Sequence, residues 1–153
     1  MKKLLLAATV VLFSLGLSAQ QNEVEMFQSV FKVEKKALLM DFLQLSDEEA
    51  QAFWPIYETY ELERAEIGNK RIALIKKYAE QWQNMTEEQA DALVAESFAL
   101  RAQRDKLQKK YYKKMKKAVG ALRAAQFVQF ERFVQTQIDS ELDNNMPLIG
   151  ERM

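Results

Sequence analysis

Few side chains in this sequence have the type and spacing to do covalent chemistry. Histidine and cysteine are both absent, which removes the usual neutral-pH proton shuttle, the commonest metal ligand and the thiolate nucleophile. Glu48 and Glu49 are adjacent, so on a helix they point in different directions and cannot flank one substrate as an acid and a base. Ser46 and Thr86 offer hydroxyls without a matching base. Each instead opens a capping-box pattern, Ser46-Asp47-Glu48-Glu49 and Thr86-Glu87-Glu88-Gln89. There the hydroxyl accepts from the amide three residues on, and the Glu or Gln side chain reaches back to the amide of the cap. No glycine-rich phosphate loop occurs, and Met26, Met40, Met85, Met115, Met146 and Met153 are scattered, as flexible fillers are and soft metal ligands are not. The chain is therefore read as a binding protein and not an enzyme, with no catalytic residue, no metal site and no cofactor.

Charge is the feature from which binding can be argued. Lysine and arginine together equal aspartate and glutamate, 22 against 22, so the balance alone names no partner, but the distribution is uneven. From Arg101 to Lys117 there are nine basic residues against the single acid Asp105, whereas between Gln20 and Gly68 there are 11 acids and 4 bases. Lys106, Lys110, Lys113 and Lys117 follow helical steps of four, three and four and share one stripe. Leu107, Tyr111, Met115 and Ala118 form the adjoining apolar stripe, so the expectation is one mixed surface able to steer and hold a partner. Lys106, Lys110, Tyr111, Lys113 and Lys117 are thus candidate client- or partner-binding residues. Trp54 is a further one, since it lies about 100° off the seam of Phe53 and Tyr60. Anionic lipid headgroups are a competing ligand for such a run, so membrane-surface contact stays open. Nucleic acid is set aside because the chain reads as exported.

That reading comes from the N-terminus. Lys2 and Lys3 precede an apolar stretch from Leu4 to Leu17 and then Ser18-Ala19-Gln20, the order of a secretory signal peptide, with cleavage expected near Ala19 and Ser18 as an alternative. Residues 1–19 are accordingly the signal peptide, 20–143 the helical domain and 144–153, with Pro147 and Gly150, a flexible frayed tail. Only four glycines and two prolines occur, a composition that predicts an all-α fold. Four helices are expected. The first, about 23–43, carries Phe27, Val30, Phe31, Ala37, Leu38 and Phe42, widened by Met26, Val33 and Met40 into a face broader than one packing partner needs, which points to a homodimer or a second partner. The second runs from Ser46 to about Gln83 on a seven-residue coiled-coil seam of Phe53, Tyr60, Ile67 and Leu74, broken or kinked at Pro55. The third starts at Thr86 and stops at Gly120, and the fourth spans about 122–142. The second and third make a long central αα-hairpin. Leu93, Leu100 and Leu107 at heptad spacing, followed by a phase shift to Tyr111, Met115, Ala118 and Leu122, imply a curved, thin bundle.

Leu45-Ser46-Asp47-Glu48-Glu49 with Phe53-Trp54-Pro55-Ile56-Tyr57, then Met85-Thr86-Glu87-Glu88-Gln89, then Leu122-Arg123-Ala124-Ala125-Gln126, resembles the LTxxQ repeats of the Spy/CpxP family of periplasmic chaperones and envelope stress sensors. The middle copy fits best, with Met85 for Leu, and the last has Arg123 in place of Thr. The resemblance covers nearly the whole chain after the signal peptide. It implies a thin, curved helical dimer in the periplasm that binds unfolded or envelope client proteins without ATP, in the course of the stress response. The alternative it implies is a dedicated regulator acting on a sensor kinase or an ECF-type sigma-factor pathway. A membrane-surface structural protein is a third reading.

Overall fold

The computed structural model describes residues 17–151. Three α-helices make up nearly all of them: α1 Leu17–Leu43, α2 Asp47–Gln81 and α3 Glu87–Asn145, with one 3-10 turn, Trp82–Asn84, between the last two. The fold is all-α. The expected signal peptide falls almost wholly on residues 1–16, outside the described residues, and α1 begins at Leu17, upstream of the expected start near Glu23. Both sequence-read N-caps are present. The Ser46 amide donates to Glu49 Oε2 at 3.0 Å and the Glu49 amide to Ser46 Oγ at 3.2 Å, and Thr86 and Gln89 repeat the exchange at 2.9 and 3.2 Å.

Of two expected interruptions, the break at Pro55 is absent and the one at Gly120 is present. Pro55 does not break α2, which runs from Asp47 to Gln81 with the proline inside it. An interior proline costs about 3 kcal/mol, but Phe53, Tyr57 and Tyr60 on both sides of it are all buried, and each buried aromatic contributes as much or more when packed. Packing therefore overrides the local penalty. The expected stop at Gly120 is present, and two helical stretches meet there at a kink within α3. Gly120 stops the helical torsions, with φ 83° and ψ 168°, yet helix resumes at once and α3 continues to Asn145. A glycine is needed there because other residues rarely adopt that region.

The chain forms two compact units. One comprises 46–128 with the C-terminal segment, the other the N-terminal stretch through Leu45 with 129–145. In the first, α2 and α3 run antiparallel, as the pairs Glu49 with Arg123, Glu63 with Lys110 and Lys77 with Glu96 require. Its core is aromatic: Phe127 meets Phe53 at 6.2 Å and Tyr60 at 5.1 Å between ring centroids, and Tyr60 meets Tyr111 at 5.3 Å. Farther along the hairpin Ile67, Leu74 and Ile75 are only half-buried, because two helices alone cannot enclose a side chain on all sides. Ala118 and Leu122, which the phase-shifted apolar line includes with Tyr111 and Met115, are exposed, while Ala124 and Phe127 are fully buried. The torsions at Gly120 reset the phase that the sequence reading carried straight across it. After α3, the Tyr78 hydroxyl donates to the Pro147 carbonyl, and the Glu151 amide closes a turn on the Leu148 carbonyl at 3.0 Å. The Leu148 amide in turn donates to Glu151 Oε2 at 2.8 Å and the Asn145 side chain to the Glu141 carbonyl at 2.7 Å, so the stretch read as a frayed tail is tied by several hydrogen bonds.

In the other unit, the inner face of α1 is not the one its hydrophobic pattern names. Leu39, Leu43 and Lys35 are buried, whereas Val30, Val33, Ala37 and Met40 are exposed. Lys35, only 2% exposed, sits at the centre of that face because its ammonium lies 2.7 and 2.8 Å from the carboxylate oxygens of Glu131, itself 5% exposed. Phe42 stacks on Phe130, with 6.0 Å between ring centroids.

Candidate binding surface

The four stripe lysines, Lys106, Lys110, Lys113 and Lys117, are all exposed on the outer side of α3. Lys106, Lys110 and Lys113, with Ala102, Asp105 and Lys109, border an open strip and not an enclosed cavity. Of the apolar stripe expected beside them, only Ala118 is at the surface. Tyr111 and Met115 are fully buried and Leu107 nearly so, because that face of α3 is the one turned to α2. Tyr111 is therefore a core residue and does not belong to a binding surface.

Its burial organises one end of the lysine strip. The Tyr111 hydroxyl donates to Glu63 Oε1 at 2.7 Å, and Lys110 Nζ lies 2.7 Å from both oxygens of the same carboxylate. Lys110 and Lys114 also stand over the Tyr111 ring, at 5.2 and 4.7 Å from its centroid. The Lys110 hydrogen bond, with that of Tyr111, holds the Glu63 carboxyl below its ordinary range. Burial first, then the bond to anionic Glu63, pushes the Tyr111 phenol up to about 12. Lys110 is thus tied to α2 and less available to a partner than Lys106, Lys113 and Lys117.

A different apolar patch, which the sequence reading missed, lies nearer the N-terminal end of α3. Phe98, at 63% exposure, and Val94 are open to solvent on α3. At about 100° per residue, Phe98, Lys109 and Lys116 fall within about 20° of one line along the helix, and Val94, Ala102, Lys106 and Lys113 lie beside it. A mixed surface does exist, built lengthwise, with its apolar residues about two to three turns ahead of the lysines. The signal was present in the sequence as a Phe98 out of phase with Leu93, Leu100 and Leu107. The acids on the same side are Glu87, Asp91 and Asp105, with Glu88 beside them.

No protein-family model, curated protein or solved structure matches this chain.

The residues that carried the family resemblance have local duties. Ser46, Glu49, Thr86 and Gln89 cap helices, and Arg123 grips Glu49 through Nε at 3.0 Å and a terminal nitrogen at 3.2 Å, while also donating to Gln126 at 3.2 Å. The first and last repeats are thereby joined, and the hydrogen bond from Arg123 leads the causes that lower the Glu49 carboxyl. Trp54 is half-buried, edge-on to Phe53 at 5.1 Å and to Tyr57 at 5.6 Å, so its ring is partly spent on the core. Among the described residues no helix is long and apolar enough to cross a membrane, and no three His, Cys, Asp or Glu side chains gather as a metal site.

Proposed function

We propose that this chain is an exported, periplasmic, ATP-independent holding chaperone of the Spy/CpxP kind, dimeric, binding non-native segments along the outer side of α3. The observation that supports this best is the continuity of exposed Phe98 and Val94 with Lys106, Lys109, Lys113 and Lys116 on one open helix face. Lysines attract acidic segments at long range and bind them loosely, because each is a compact charge on a flexible stem. Phe98 supplies the short-range apolar contact that keeps an encounter from dissociating at once. An open strip of this form fits extended segments of varied sequence better than it fits one folded ligand.

The test separates the two roles. Lys106, Lys109, Lys113 and Lys116 are replaced by glutamine in one variant and Phe98 by serine in another. Suppression of aggregation of a reduced, unfolding acidic protein is then followed at about 0.05 and 0.5 M salt, on either side of the ionic strength at which screening takes hold. The lysine variant is expected to capture clients more slowly at low salt only, because screening already weakens steering at the higher salt. The Phe98→Ser variant is expected to release them faster at both. Unaltered protection by both variants at both salts would refute the assignment. Protection of several unrelated clients is the result that distinguishes holding from attachment to one regulatory partner.

A further inference from the structure

α1 is apolar on two opposite sides, and only one of them is packed within its own chain. Lys35, Leu39 and Leu43 mark the covered side. Met26, Val30, Val33, Ala37 and Met40 are all exposed, Met26 and Val33 at 64% and 69%. At about 100° per residue these five cluster within about 80° of each other, centred roughly 180° from Lys35. Their spacing of four, three, four and three is that of a coiled-coil seam.

We propose that this outer stripe of α1 is covered by the same stripe of a second copy of the chain, in a parallel two-stranded coiled coil. The inference rests on the dimeric state proposed above and not on client capture. Three observations select a second copy in this orientation. A seam of period 3.5 is self-complementary, since its knobs fit the holes of an identical seam. Val30 at an a position suits two strands, whereas Val33, at a d position, adds nothing to that preference. The flanking charges then decide direction. On one flank lie the acids Glu34 and Asp41, on the other Ser29 and Lys36. In a parallel pair the Lys36 flank faces the acidic flank of the other strand, five residues on, bringing Lys36 opposite Asp41. An antiparallel pair sets Glu34 and Asp41 against their own kind. The seam ends where the helix does, at Leu43, with the next register position, Gln44, at φ 45°. About 15 residues of seam, roughly 22 Å long, makes a modest interface, suited to a reversible dimer.

The absence of native cysteine makes the test direct. Full-length chains carrying Met26→Cys, Val33→Cys or Met40→Cys are oxidised singly, and Met26→Cys is also oxidised together with Met40→Cys. A parallel seam is expected to give a disulfide-linked dimer from each single variant and no excess of the mixed pair. Val33→Glu is expected to weaken self-association at least tenfold in sedimentation, with unchanged helicity by circular dichroism. A preference for the mixed Met26→Cys with Met40→Cys product would overturn the parallel arrangement. A dimer that persists unchanged in Val33→Glu would place the interface elsewhere while leaving the dimeric state intact. A chain that stays monomeric at about 100 µM, well above the range of a reversible dimer, would sink both, and client protection measured on the same samples reports separately on the chaperone reading.

Discussion

Replacing Lys35 by methionine should be far more damaging than its place on a helix with exposed neighbours suggests. At an effective dielectric near 20, charges 2.7 Å apart attract by about 6 kcal/mol. The loss of hydration of two ions offsets most of that, so the pair as a whole adds little net stability. Methionine keeps the length and the apolar contacts of the lysine stem but removes the cation. The desolvation of the Glu131 carboxylate then stands uncompensated, at a cost of about 3 to 5 kcal/mol. With a urea dependence of roughly 2 kcal/mol per molar, the midpoint should fall by about 2 M. Far-UV circular dichroism is the assay, because Trp54 and Trp82 both lie in the unit built on α2 and on α3 up to Val128, and their fluorescence does not report directly on α1. The companion double variant, Lys35→Met with Glu131→Met, should recover most of the loss. A single-variant cost below about 1 kcal/mol, or a double variant as unstable as the single, would refute the argument that the buried charges matter through each other.

Other outcomes follow from the same contacts. Tyr111, raised to about 12, should be missing from the first phase of a spectrophotometric tyrosine titration, and Tyr111→Phe should leave that phase unchanged. Because the folded phenol holds its proton after the unfolded one has lost it, stability should be flat below about pH 10 and fall between about pH 10 and 12, by about 2 to 3 kcal/mol in all. Glu63, with its carboxyl lowered chiefly by Lys110, has the opposite sign: its contribution is complete above the ordinary carboxylate range and is lost as the pH falls below it. Gly120→Ala meets no steric obstacle, since an added Cβ has nothing within 4 Å. Its expected loss of about 1 to 3 kcal/mol, read from thermal melting, is the torsional cost of φ 83° alone.

What the sequence made legible was local. Ser46 with Glu49 and Thr86 with Gln89 are four-residue signals whose partners lie within one helical turn, and both formed as read. Phe53 and Tyr60, one heptad apart, went to the core as their helical periodicity indicates, although their partners Phe127 and Tyr111 lie far along the chain. Lys35 was opaque because its partner lies 96 residues away, and a lysine among apolar residues reads as a solvent marker until its counter-charge is located. Tyr111 misled in the other direction. Its lysine neighbours suggested a surface, although its phase matched the buried Leu93, Leu100 and Leu107 line closely enough to place it inside. Pro55 shows a third kind of limit, in which a local cost is real but smaller than the burial of three aromatic rings beside it.

The uneven core of the hairpin has a consequence for how the molecule breathes. Phe53, Tyr57, Tyr60, Tyr111 and Phe127 lock one end, while toward the 3-10 turn Leu93 and Leu100 are met on α2 only by the half-covered Ile67, Leu74, Ile75 and Tyr78, so opening should begin at the turn and travel inward. Amides near residues 75 to 95 should exchange with solvent soonest, and those around 53–60 and 107–115 last. The hydrogen bond from Tyr78 to the Pro147 carbonyl falls on the loose stretch. The end of the chain thereby acts as a clasp on the region of the hairpin with least apolar cover, and clipping it would set that tip in motion without disturbing the aromatic lock.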